Sequence, residues 1–195
     1  MQKRQSINLK AMRLIITAVI AILILTLLLW NYFHGGVPSH HILDRKDLPE
    51  ISNWWNGLWL PVLTWILLGR INSRIEKQTS ADNSSNKGLG NVLGRFMIGL
   101  IFGIILAVSF VHNFNPFLDN VLYILLILTF IVPLFFSEFI LGFVLGMTYT
   151  FGAILPTVFI FIIAVAGFLI YRFIRPLIFK VPQVFISKQA KSTNG

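Results

Sequence analysis

The sequence predicts an all-α protein, a polytopic transmembrane helical bundle of about six spans with a short or re-entrant fifth segment. Three observations carry that expectation. Of 195 residues, 56% are hydrophobic and 12% charged, against roughly 45–50% and about 25% in an average soluble domain. A water-soluble fold this short cannot hide so much apolar surface. The apolar residues also run in stretches long enough for a bilayer, about 20 residues each. Finally, the charges sit beside those stretches: after Arg95 the next acid or base other than histidine and tyrosine is Asp119, then Glu138, then Arg172.

The first span is 14–33, which is apolar apart from Thr17, Thr26 and Asn31. Its basic lead-in (Lys3, Arg4, Lys10, Arg13) resembles that of a secretion signal. A cleavable core is shorter, about 7–15 residues, and ends in small residues. This run ends Trp30, Asn31, Tyr32, Phe33, an interfacial aromatic belt, so the helix is expected to remain as an anchor. Span two, 54–71, follows the capping residues Ser52 and Asn53, and Pro61 should kink it. Residues 72–90 are rich in Asn, Ser, Lys and Gly and read as a polar linker. Span three is 91–111, closed by a turn from His112 to Pro116.

The stretch from Phe117 to Phe173 is apolar throughout and too long for one crossing. Pro133 with Ser137, and Gly152 with Pro156, divide it into spans near 118–135, 138–152 and 155–175, with a basic tail at 176–195. Ser137 is suited to cap the middle helix, with Glu138 in its first turn, and Pro156 to open the last. The middle piece is short for a crossing; a re-entrant half-helix covered by other helices is the alternative.

The net charge of +9 orients the chain. Basic residues flank spans, as the positive-inside rule requires, and form no patch interleaved with aromatics, so nucleic acid is not the expected partner. The lipid bilayer is. Both termini are placed in the cytoplasm of the cell membrane, and loop 34–53 and the turn at 112–118 outside. Cysteine is absent, which excludes disulfides, thiolate nucleophiles and cysteine metal sites.

Two groups of residues are candidates for chemistry. In the outer loop, a surface helix over 40–48 would align His40, Asp44 and Asp47 on one face. That set suits zinc or another divalent metal, and with His41 and His112 a general base and its orienting acid. A hydrated juxtamembrane helix is the plainer account, since the spacing matches no known signature. All four histidines lie at span ends, whereas a membrane haem needs two facing each other across a helix pair. No cofactor is assigned.

Glu138 is the one carboxylate well inside the last apolar region. It fits a helix-start carboxylate, a proton or cation site, or an interhelical bond. Gly142, Gly146, Tyr149 and Ala153 continue its stripe, and Gly90, Gly94, Gly99 and Gly103 form a second run. Such stripes let backbones approach, within the chain, between copies in a homo-oligomer, or against a membrane partner subunit. They also suit a backbone-lined path past Gly142, Gly146, Gly152 and Pro156. No nucleophile elbow, phosphate loop or dinucleotide fingerprint is present. Three functions follow as expectations: a small transporter or channel-like protein for a solute, ion or lipid; a non-catalytic assembly subunit; or a membrane enzyme with an outer His/Asp site.

Overall fold

A computed structural model describes residues 2–37, 39–41, 50–81, 85–131 and 133–174. Among the described residues the fold is all-α apart from one two-stranded ribbon. Seven α-helices are formed there: α1 (Gln2–Phe33), α2 (Asn56–Ala81), α3 (Ser85–Val111), α4 (Asn115–Leu118), α5 (Val121–Ile131), α6 (Ser137–Phe151) and α7 (Ile154–Leu169). By length and composition, Leu9–Phe33 within α1 and Gly88–Val111 within α3 are long and apolar enough to cross a membrane.

α1 and α2 pack antiparallel. Gly57 at the start of α2 faces Leu28 and Leu25 late in α1, and Gly69 further on faces Arg13. The Asn72 side-chain amide donates to the Leu9 carbonyl at 2.9 Å, extending the pairing to the other end. A ribbon joins the two helices: β1 (Ser39–His41) pairs with β2 (Glu50–Ser52), placing His40 opposite Ile51 and His41 opposite Glu50. The expected surface helix over 40–48 is therefore not formed at its start, where the backbone is a strand. Ser52 caps the following 3₁₀ turn, Asn53–Trp55, by accepting from the Trp54 amide, and α2 runs on through Pro61.

The segment 72–90 is helix over most of its length, not a linker. α2 extends to Ala81 and α3 begins at Ser85. At about 1.5 Å per residue each of these helices is about 40 Å long, and their polar ends are helical, not irregular. The expected span 118–135 is likewise broken, into α4, α5 and a turn around Leu134 and Phe135. Asn113, in the turn before α4, takes a left-handed φ of 51°.

α6 is the centre of the bundle, packed by α3, α7 and α2. Every residue from Glu138 to Val144 is buried. α3 and α6 run parallel, in contact at the level of the backbone. A Cβ on Gly103 would lie 2.5 Å from the Phe143 carbonyl oxygen, and one on Gly146 2.6 Å from that of Leu100. Gly99 and Gly142 are closer still to the carbonyls of Phe139 and Phe96. Four of the predicted small residues thus serve one intramolecular interface, where dispersion between close backbones is the gain. Gly90 and Gly94 face open space. Tyr149 leaves the stripe altogether: it is 80% exposed.

Candidate functional site

The most polar buried group in the bundle is built around the start of α6. Phe136 is extended and forms the N-cap, with no side-chain cap bond. Ser137 is therefore the first helical residue, not the cap. Glu138 follows in the first turn, where the helix dipole favours a carboxylate, and it is fully buried. Burial of a lone carboxylate costs several kcal/mol after relaxation (order of magnitude), so it needs partners of opposite charge. Two neighbouring helices supply them. Arg74 from α2 donates through Nη2 to Glu138 Oε1 at 2.5 Å, and Arg95 from α3 through Nη1 to the same oxygen at 3.1 Å. The Phe136 ring lies under both guanidiniums, 4.5 Å from Arg74 Cζ and 4.0 Å from Arg95 Cζ, a cation–π arrangement that favours their charge.

The cluster is not balanced. Two guanidiniums against one carboxylate leave one net positive charge, and Glu138 Oε2 accepts no hydrogen bond among the described residues. Two of the sequence readings meet here: Glu138 is a helix-start carboxylate in the first turn of α6 and is bonded between helices, tying α2, α3 and α6 together.

Arg74 also borders a second feature. A shallow, open cavity of about 630 Å³ lies along α1 and α2, lined by Arg13, Trp65, Gly69, Arg70, Arg74 and Lys77, with Ile66 and Ser73. Four lining residues are cationic and none is acidic. Arg13 is held in place: its Nε donates to the Trp65 carbonyl at 2.9 Å, and its Cζ sits 3.8 Å from the Trp65 ring centroid. Gly69 makes room for it, since an added Cβ would meet the guanidinium at 2.8 Å. Ser73 donates to the Gly69 carbonyl at 3.0 Å. Side chains fixed this way keep guanidinium N–H groups free to donate to an anion.

A neutral polar cluster closes the opposite end of α6. Gly152 ends the helix with a φ of 71°. Asn53 and Asn56 are buried against it, and Asn56 Oδ1 accepts from the Ala153 amide at 2.8 Å. The Trp59 indole donates to Thr157 Oγ1 at 3.2 Å, and Thr157 donates to the Ala153 carbonyl at 2.5 Å.

The predicted outer site is not assembled among the described residues. Asp44 and Asp47, and the side chains of His40 and His41, lie outside them. His112 is exposed at the end of α3, its Nδ1 2.9 Å from the Val108 carbonyl. His34 does the same at the end of α1, 2.9 Å from Trp30 O. Among the described residues no three His, Cys, Asp or Glu side chains come together as a metal site would need. Arg13, Trp65, Gly69, Arg74 and Arg95 were not anticipated as a site. Their signal is weak but present: Arg70 and Arg74 stand at the end of the second apolar run and Arg95 at the start of the third, where a buried acid finds a partner. Arg70 and Arg74, four apart, also line one helix face.

No family model, curated protein or solved structure matches the chain.

Proposed function

We propose that this chain is a multi-pass protein of the cell membrane and a small transporter or channel-like protein for an anionic, lipid-like solute. Six crossings, with both termini cytoplasmic, are consistent with the directions of the helices. α2 opposes α1, α3 and α6 run together, and α7 returns so that Phe168 meets Phe135 beside the start of α6. This arrangement gathers Arg13, Arg70, Arg74, Lys77 and Arg95 toward one end, the inner leaflet by the positive-inside rule. Trp30, Tyr32, Phe33, Trp54, Trp55 and Trp59 are exposed at the other, as an interfacial belt would be. α6 is short for a crossing, but α3, α2 and α7 cover it, which meets the requirement for a short segment at membrane depth.

The carrying observation is the open cavity with four cationic and no acidic lining side chains, sharing Arg74 with a buried cluster that is itself net positive. A concave surface of one sign, beside low-dielectric walls, concentrates ligands of the other sign. The test is flux of a fluorescent short-chain phosphatidylglycerol across liposomes containing the purified protein. Transport above protein-free liposomes, reduced severalfold by Arg74→Gln, supports the reading. Flux equal to empty liposomes sinks it.

A second reading, a non-catalytic assembly subunit, draws on the closed glycine interface. Backbone contact at Gly142 and Gly146 brings α3 directly against that stripe. Reproducible co-purification of one membrane protein in mild detergent, with no flux, would favour it.

A further inference from the structure

The cavity does not stand alone on α2. Leu58, Val62 and Ile66 follow one another at four-residue spacing and are 63%, 44% and 50% exposed. Residues at three- and four-residue steps share a helix face, so the stripe continues through Gly69 and Arg70 to Ser73 and Lys77, which line the cavity. One face of α2 is thus apolar in its first half and cationic in its second. At about 1.5 Å per residue Val62 and Ile66 lie within roughly 12 Å of Arg70, inside the inner half of a hydrocarbon core of about 30 Å, whereas Leu58 stands beside Trp59 of the outer belt.

We infer that this face binds an anionic phospholipid of the inner leaflet, its phosphate among Arg13, Arg70, Arg74 and Lys77 and an acyl chain along Ile66 and Val62. The inference rests on the membrane placement proposed above and gives the anionic ligand a chemical class. Guanidinium forks match phosphate oxygens in geometry and charge. What separates this site from ordinary juxtamembrane basic residues is the seating of Arg13. Its hydrogen bond to the Trp65 carbonyl and its contact with the Trp65 ring fix the guanidinium at the boundary between the two halves of the face. That position exists because residue 69 has no side chain. Arg74 lines the cavity while its Nη2 is held by Glu138.

Gly69→Ala is the sharpest probe, because it removes no charge and displaces the far end of a flexible side chain. The full chain is stripped of lipid in a neutral detergent and titrated with phosphatidylglycerol, phosphatidylcholine or inorganic phosphate, with retained ligand read by native mass spectrometry. Phosphatidylglycerol is expected to bind, and phosphatidylcholine and phosphate to bind far more weakly. Gly69→Ala and Arg13→Gln should each weaken phosphatidylglycerol about fivefold, the worth of one basic contact near an anionic surface, and Arg172→Gln should not. If Gly69→Ala does not fold, Arg13→Gln carries the comparison. Equal loss in Arg13→Gln and Arg172→Gln, or undiminished binding in folded Gly69→Ala, would reduce the site to general charge attraction and overturn the inference. Inorganic phosphate binding as tightly as the lipid would reassign the cavity to a soluble phosphate ester, leaving an anion carrier without a lipid site. Tight lipid binding with no liposome flux would remove the transport reading and keep this one.

Discussion

The two ends of α6 solve the same problem with different chemistry. At its start a carboxylate is buried and held by guanidiniums from α2 and α3. At its finish, Asn56 and Thr157 bond backbone groups around Gly152 and Ala153, and no charge is involved. The charged end binds three helices through one oxygen atom and leaves a second oxygen without a partner among the described residues. The neutral end satisfies single donors one at a time. A charged buried cluster is costly to assemble and more costly to break, because loss of one member strands the others. An amide cluster fails in smaller steps, each the size of a hydrogen bond.

Substitutions at each end sharpen that contrast, and detergent-denaturation curves of the purified protein measure them. Glu138→Ala should be the most damaging, at about 3–5 kcal/mol, since Arg74 and Arg95 lose the charge that compensates them. Adding Arg74→Gln to Glu138→Ala should return part of that loss; strictly additive losses would mean the pair is not coupled. Gly142→Ala comes next, at about 1–3 kcal/mol, from forcing α3 off α6 at the Phe96 carbonyl. Asn56→Ala should cost about 1–3 kcal/mol by leaving the Ala153 amide unsatisfied. An effect larger than that of Glu138→Ala would reverse the ranking of the two ends. Trp59→Phe should be smallest, about 0.5–1.5 kcal/mol for the bond to Thr157.

Local punctuation made α6 and α7 legible. Serine, glycine and proline set the expected 138–152 and 155–175 close to the helices found, Ser137–Phe151 and Ile154–Leu169. The same signals misled elsewhere. Residues 72–90 look like a linker because they are polar, yet helix continues past an apolar span whenever nothing stops it, and Asn72 and Arg74 have tertiary partners. β1 and β2 are three residues each, too short to show alternation. Tyr149 was placed on the Glu138 stripe by spacing alone, but α6 is buried over most of its circumference, and spacing does not say where the one open side lies. That Glu138 would be bonded between helices was foreseeable as an option; which arginines meet it depends on helix directions that no single segment encodes.

The parallel pairing of α3 with α6 has a consequence for synthesis. A ribosome makes α3 first, and residues 112–136 must follow before its partner exists. Until then Gly99 and Gly103 present bare backbone to whatever surrounds the nascent chain, and Arg95 waits beside them with no acid to neutralise it. Of the three charged groups the carboxylate at 138 is made last, after both of its arginines, so opposite charge draws α6 toward α2 and α3 before the close glycine contacts can form.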